Sequence, residues 1–180
     1  MKYLIASDIH GSMYYASKLI EKYKEENADK LVILGDILYH GPRNELPKEY
    51  SPKDVYELLN CYKDDILCVR GNCDSEVDQM VLDFPIMADY AILNFDKITV
   101  FATHGHLFDK NNMPPIKKGD VLLFGHFHIP ECSEKNGILF MNPGSVSLPK
   151  NNSHNGYMTY ENGIFTWKDL DGNVKNTYSV

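Results

Sequence analysis

At 180 residues with 43% hydrophobic side chains, the chain has the size and apolar content of one compact domain spanning residues 1–180, not of a disordered protein. A net charge of −7 argues against a broad nucleic-acid surface, which needs Lys and Arg clustered on one face, and favours a small ligand over a polymer. No apolar run approaches the roughly 20 residues that span a bilayer, and Cys61, Cys68, Cys73 and Cys132 show neither C-x-x-C spacing nor a preceding secretory leader, so a soluble, reduced, cytoplasmic protein is expected.

In chain order, Lys2 to Ser7 reads as a buried strand that ends in the turn Asp8-Ile9-His10-Gly11. From Ser12, a candidate N-cap, to about Glu26 the apolar positions Ala16, Leu19, Ile20 and Tyr23 recur at spacings of three and four, which predicts an amphipathic helix. The strand Leu31 to Leu34 follows and ends at Gly35-Asp36, giving a parallel βαβ unit with a right-handed crossover. Tyr39 to Pro52, with Gly41, Pro42 and Pro47, is a long polar loop of a length that is often functional. A helix from about Pro52 to Tyr62 and a strand from Ile66 to Val69 complete a third repeat of the pattern, closing on Gly71-Asn72-Cys73-Asp74.

The second half reads as short strands over Tyr90 to Leu93, Ile98 to Ala102, Val121 to Phe124, Ile138 to Met141, Tyr157 to Tyr160, Ile164 to Trp167 and Val174 to Ser179. Asn162-Gly163 and Asp171-Gly172 are two-residue hairpin signals, so the end of the chain should be an antiparallel meander. The expectation is two sheets packed face to face with helices outside.

Ligand-type side chains fall directly after five apolar runs: Asp8 and His10, then Asp36, Asn72, His104, and finally His126 and His128. Carboxyl ends of parallel strands share one edge of a sheet, where ligands bind, so five strand ends would deliver seven ligands to one place. Within Asp8-x-His10 and His126-x-His128, residues i and i+2 of an extended segment point the same way. Two carboxylates, one amide and four imidazoles without a thiolate suit borderline divalent ions such as Mn²⁺, Fe²⁺, Zn²⁺, Ni²⁺ or Co²⁺. Seven ligands exceed what one tetrahedral ion uses. The simple reading is two ions, roughly 3.5–4 Å apart, that share Asp36.

Asp8-Ile9-His10, Gly35-Asp36, Gly71-Asn72-Cys73-Asp74, Thr103-His104-Gly105-His106 and Gly125-His126-Phe127-His128 resemble, in order and spacing, the D-x-H, G-D, G-N-x-D/E, H-G-H and G-H-x-H blocks of calcineurin-like metallophosphoesterases. Within that superfamily, His40 to Asn44, Gly71 to Met80 and Asn142-Pro143-Gly144-Ser145-Val146-Ser147 are similar to the bacterial YfcE-like phosphodiesterases. The resemblance implies an α/β (α+β) fold, a four-layer αββα sandwich of two mixed sheets, with manganese-supported hydrolysis of a small phosphate ester and often a homo-oligomer, a dimer or tetramer. It implies that Asp8, His10, Asp36 and His128 hold one metal and Asp36, Asn72, His104 and His126 the other, with a water between them attacking phosphorus in line. Such cations would also offset the acidic chain's repulsion of a phosphate.

Asp74 is read either as a helix cap or as support for a metal-bound His, and His106 as a phosphate or supporting group or as a solvated loop residue. His40 and Arg43 are candidates for holding the phosphate, the guanidinium bidentately, or for pairing with local acids. Asn142 to Ser145 reads as a structural turn beside the site, and His154 as a surface residue. Many members of the resembled family carry His where Cys73 stands, in position to protonate the leaving oxygen; its loss predicts a preference for good leaving groups. Phosphomonoester hydrolysis is the near alternative. A non-catalytic interaction platform of the same fold is the distant one, for which loss of the ligands would be the signature.

Overall fold

The computed structural model describes residues 1–180. Alternation along the first strand, β1 (Tyr3–Ala6), sets the layering. Leu4 and Ala6 face outward to a helical layer and Ile5 faces the other sheet, as the period of two requires. Helix α1 (Met13–Glu25) starts where the Ser12 hydroxyl accepts the Tyr15 N–H at 3.4 Å, and it ends with Lys22 and Lys24 at the negative end of its dipole. Its buried stripe Ala16, Leu19, Ile20 and Tyr23 is the one read from the sequence. Strand β2 (Lys30–Ile33), helix α2 (Pro52–Asn60) and strand β3 (Ile66–Cys68) complete the α/β half, β1 pairing β2 and β2 pairing β3 in parallel. A short helix α3 (Glu76–Gln79) follows, capped by a Ser75/Asp78 capping box.

The β-rich half comprises β4 (Tyr90–Phe95), β5 (Ile98–Thr103), β6 (Val121–Leu123), β7 (Pro130–Lys135), β8 (Ile138–Pro143), β9 (Gly156–Glu161), β10 (Ile164–Asp169) and β11 (Val174–Ser179). Two mixed sheets result, in the orders β11-β10-β9-β1-β2-β3 and β4-β5-β6-β8-β7. In the second, β5, β6 and β8 run parallel while the edge strands β4 and β7 are antiparallel. The layer between the sheets is apolar, with Ile5, Val32, Leu34, Val100, Val121, Leu123, Met158, Phe165 and Trp167 at its centre.

Some details differ from the sequence-based expectation. Strand β7 was not anticipated, because Pro130-Glu131-Cys132-Ser133-Glu134-Lys135 has no apolar alternation; it is an edge strand that packs Cys132 against the core and leaves Glu134 and Lys135 exposed. Asn162 and Gly163 do form a two-residue turn, both at positive φ (50° and 80°). Asp171-Gly172 instead sits in a longer loop held by Asp169, whose carboxylate accepts the Asp171 and Asn173 N–H groups at 3.0 and 2.8 Å. Helices α1 and α2 cover only the first sheet. On the second, Phe101, Leu122, Phe124 and Phe140 are covered by Phe108 and Ile116 from the irregular segment between β5 and β6, so the fourth layer carries no helix.

Candidate metal centre

Asp8 follows β1, Asp36 follows β2, Asn72 follows β3, and His104, His126 and His128 follow β5 and β6. All seven nominated side chains meet at one edge shared by the two sheets. His128 Nε2 lies 3.2 Å from Asp8 Oδ1 and 3.2 Å from His10 Nε2, and His10 Nε2 lies 3.6 Å from Asp8 Oδ1. On the other side, His104 Nε2 lies 3.1 Å from Asn72 Oδ1 and 3.2 Å from His126 Nδ1. Asp36 Oδ2 stands between the two groups, 3.7 Å from His10 Nε2 and 3.4 Å from His104 Nε2.

The local backbone is not what the i, i+2 reading supposed. Asp8, His10, Asp36, His126 and His128 all adopt left-handed conformations, with φ between 51° and 66°. The pairs therefore meet through tight turns and not along extended strands. Asp and His are among the few non-glycine types that enter this region readily.

Five of the candidate ligands, His10, His104, His128, Asp8 and Asp36, spend one atom on the backbone and keep another for the centre. Imidazole Nδ1–H groups donate to backbone carbonyls, His10 to Tyr39 at 2.8 Å, His104 to Leu34 at 2.6 Å and His128 to Leu148 at 2.6 Å, which leaves Nε2 bare. Asp8 Oδ2 accepts the His126 N–H at 3.0 Å and Asp36 Oδ1 accepts the Cys73 N–H at 2.8 Å. Asp8 Oδ1 is wholly buried with no donor aimed at it. A bare carboxylate oxygen and bare imidazole nitrogens 3.2 Å apart repel one another unless positive charge lies among them, so these residues fit divalent cations. The titration of the groups carries the same demand. Burial opposes charging of His104, yet Asp36 and Asp8 outweigh it and raise it to about 9. Burial also acts against ionised Asp8, but His10, His128 and His104 hold its carboxyl well below the usual range. His126, half-buried, is lowered to about 4 by desolvation and by the His104 charge beside it.

Around these side chains, Asp74 differs from what the sequence alone suggests. Asp74 neither caps α3, which Ser75 does, nor touches a histidine. Its buried carboxylate accepts the N–H groups of Asp36 (2.8 Å), Ile37 (2.9 Å) and Gly71 (2.7 Å), tying the ends of β2 and β3 together. Asn142 to Ser145 lies beside the centre as expected, and the contacts of this segment, continued to Ser147, are specific. Asn142 Nδ2 donates to Gly125 O at 2.8 Å, while the Ser145 and Ser147 hydroxyls donate to Asp8 O at 2.8 and 3.0 Å. Trp167 Nε1–H fixes the turn through Asn142 O at 2.7 Å. Two glycines are dictated by close approach. A Cβ on Gly71 would strike the Asp36 carboxylate, and one on Gly125 would strike Ser7 beside Asp8.

The centre opens into a cleft of ≈ 480 Å³ whose lining includes Asp36, Asn72, Cys73, Arg43, Phe127 and Lys150. Arg43 thus reaches the place expected of it. His40 does not: it lies off the lining, edge-on to Tyr39 and Tyr50 at 4.8 and 5.2 Å. Its peptide carbonyl accepts from Asn44 Nδ2 at 2.8 Å, so it shapes the loop that presents Arg43. His106 stands behind the centre, 5.4 Å from the His104 ring, and burial and the His104 charge lower its pKa. Sequence reasoning missed Lys150 and Phe127 as cleft residues. Lys150 carried no motif of its own, and Phe127 was hidden as the variable letter between two histidines.

This arrangement defines the class. A family model described as the calcineurin-like phosphoesterase superfamily domain matches residues 1–162, and the chain belongs to that superfamily. Within it, the chain is 46% identical over 166 residues to phosphodiesterase YfcE of Escherichia coli, covering 92% of this chain and 90% of that one. A solved structure of YfcE, a phosphoesterase from E. coli, matches with a TM-score of 0.96 at 43% identity over 99% of both chains. Vps29 of Entamoeba histolytica, solved with zinc, shares the fold at a TM-score of 0.68 and 19% identity over 99% of both chains. No helix is long and apolar enough to cross a membrane.

Proposed function

We propose that the protein is a phosphodiesterase that hydrolyses a small phosphate ester with two divalent cations, Mn²⁺ favoured, held at this centre. Asp8, His10, Asp36 and His128 would hold one, and Asp36, Asn72, His104 and His126 the other. The observation that carries the reading is Asp36 Oδ2, poised between His10 and His104 while its Oδ1 is fixed by the Cys73 N–H. When bound, such cations polarise a phosphoryl oxygen and lower the pKa of water between them. Arg43 and Lys150 bring positive charge to the cleft for the substrate anion, the guanidinium matching two phosphate oxygens.

Cys73 supplies little acid chemistry. Burial, then Asp36, pushes its thiol far up, so it remains a weak S–H donor with neither nucleophilic nor strong acidic character. The reading therefore keeps a preference for good leaving groups. It also carries a cytoplasmic setting, which four free cysteines support, and a homo-oligomer to be tested by sedimentation.

The test is a metal-by-substrate panel on the purified protein, with bis-aryl and mono-aryl phosphates and equilibrium dialysis against Mn²⁺. Two ions bound per chain and faster diester cleavage are expected, both lost in Asp36→Asn. Full activity in that variant would remove Asp36 from its shared position, and absence of stoichiometric uptake by the intact protein would leave the interaction-platform reading in its place.

A further inference from the structure

Phe127 separates two clefts. It stands between His126 and His128, is 41% exposed, and lines both the cleft at the metal centre and a second cleft of ≈ 210 Å³ beside it. Behind it, Phe124 meets its ring edge-on at 5.9 Å, and Phe124 also lines the second cleft. The second cleft is thus floored by two aromatic rings and bordered by Asp109, Asn111, Lys110 and Glu131. Its border is already engaged. Asp109 accepts the N–H groups of Asn111 and Asn112, each at 2.7 Å, and Lys110 pairs with Glu131 and Ser133. Much of the border's hydrogen-bonding capacity is thus taken up, while the Phe127 ring is exposed and Phe124 packs beneath it.

Resting on the phosphodiesterase reading, we infer that Phe127 and the second cleft form a subsite for an aromatic ester group, the one that stays on phosphorus during cleavage. In an in-line displacement the attacking oxygen comes from the cleft floor, where the ligands lie, so the leaving oxygen points out of the mouth. The remaining ester group projects along a wall. Pro42 and Phe127 are the apolar members of that wall, and Phe127 opens onto the second cleft. A planar ring laid on Phe127 would bury surface that is now exposed to water and gain offset or edge stacking. An alkyl group of one or two carbons would reach neither ring. The subsite is therefore specificity-determining, and its ligand class is an aryl or nucleoside ester.

The experiment compares three substrates with one leaving group in the Mn²⁺-loaded protein: phenyl, thymidine 5′ and methyl esters of p-nitrophenyl phosphate. The readout is the ratio of kcat/KM for each aromatic diester over the methyl diester, in wild type and in Phe127→Ala, Phe127→Leu and Phe127→Trp. The phenyl ratio should fall about tenfold in the Ala and Leu variants, mainly through KM, and persist in the Trp variant. A parallel fall in the thymidine ratio would extend the subsite to nucleosides, and its constancy would confine it to aryl groups set directly on phosphate. Phenyl ratios that ignore Phe127, whatever happens to the individual rates, overturn the subsite while leaving the hydrolase reading intact. Wild-type protein inert towards all three diesters removes that reading and this one with it.

Discussion

Asp74→Asn tests whether the tie between the ends of β2 and β3 builds the centre. In the native chain, Oδ2 accepts from Asp36 and Gly71 and Oδ1 accepts from Ile37, with every partner buried. An Asn of the same shape has one acceptor oxygen, so its best orientation keeps the first two bonds and points its NH₂ at the Ile37 N–H. Loss of that charge-assisted bond costs about 1.5–3 kcal/mol, and weakening the other two from charged to neutral acceptors adds about 1 kcal/mol. An opposing contribution arises because burial and the nearby Asp36 already push the Asp74 carboxyl up, and a neutral side chain is relieved of that. The net expectation is a loss of about 3 kcal/mol, or about 9 °C in Tm for a chain of this size. Since Asp36 and Asn72 lie on the loosened segments, Mn²⁺ affinity should fall about 10–100-fold. Calorimetry of the metal-free protein and titration with Mn²⁺ measure the two separately. A Tm within about 2 °C of wild type would refute the energetic account, and a lowered Tm with unchanged affinity would refute the link to the centre.

Gly125→Ala places a Cβ 2.8 Å from Ser7 Cβ and 3.0 Å from Asp8 Oδ2, so it should displace Asp8 and weaken Mn²⁺ binding at least tenfold; titration giving wild-type affinity would show that the turn can yield. Glu26 is bonded to Lys168 (2.6 Å), Lys2 (2.8 Å) and Tyr157 (2.9 Å); burial pushes its carboxyl up, and these partners overcome that to lower it from 4.5 to about 2. Its folded pKa being depressed, its contribution is complete above pH 4.5 and is lost as pH falls towards 2. Glu26→Gln should thus cost about 2 kcal/mol at pH 7, after allowance for solvent screening, with the gap from wild type closing below pH 4 in denaturant titrations; a gap independent of pH would assign the cost to packing. Cys73→His, introducing an imidazole into the cleft, should raise turnover of poor-leaving-group diesters about tenfold or more relative to p-nitrophenyl esters. An unchanged ratio would place the proton donor elsewhere.

The convergence of the seven candidate side chains was legible in the sequence because each follows an apolar strand, and the rules of parallel sheets bring such ends together. The turns that carry them were not, since nothing in Asp8 or His128 as a letter states that its φ is positive. Asp74 was misassigned for a related reason. Its three donors are backbone groups of Asp36, Ile37 and Gly71, and backbone partners leave no trace in side-chain spelling. Strand β7 escaped because edge strands are selected to be polar, and hydrophobic alternation is the signal by which strands are read. The helix on the fourth layer was implied by the family resemblance, and this chain covers that face without one. Phe108 and Ile116 on an irregular segment suffice.

The left-handed turns also explain how a short chain divides its histidines between the two halves of the centre. In an extended G-H-x-H segment both imidazoles would project side by side onto one face. Here His126 and His128, each at positive φ, address different halves of the centre, the first beside His104 and the second beside His10 and Asp8. Such conformations cost on the order of 1 kcal/mol or more each, and the chain offsets them locally. The Ser145 and Ser147 hydroxyls hold the Asp8 carbonyl, and Gly125 N–H donates to His104 O at 2.7 Å. The ligands are therefore held in place by hydrogen bonds of the chain itself, unlike sites that fold only around their ion. A cation bound there would spend little of its binding energy on ordering the loops around it.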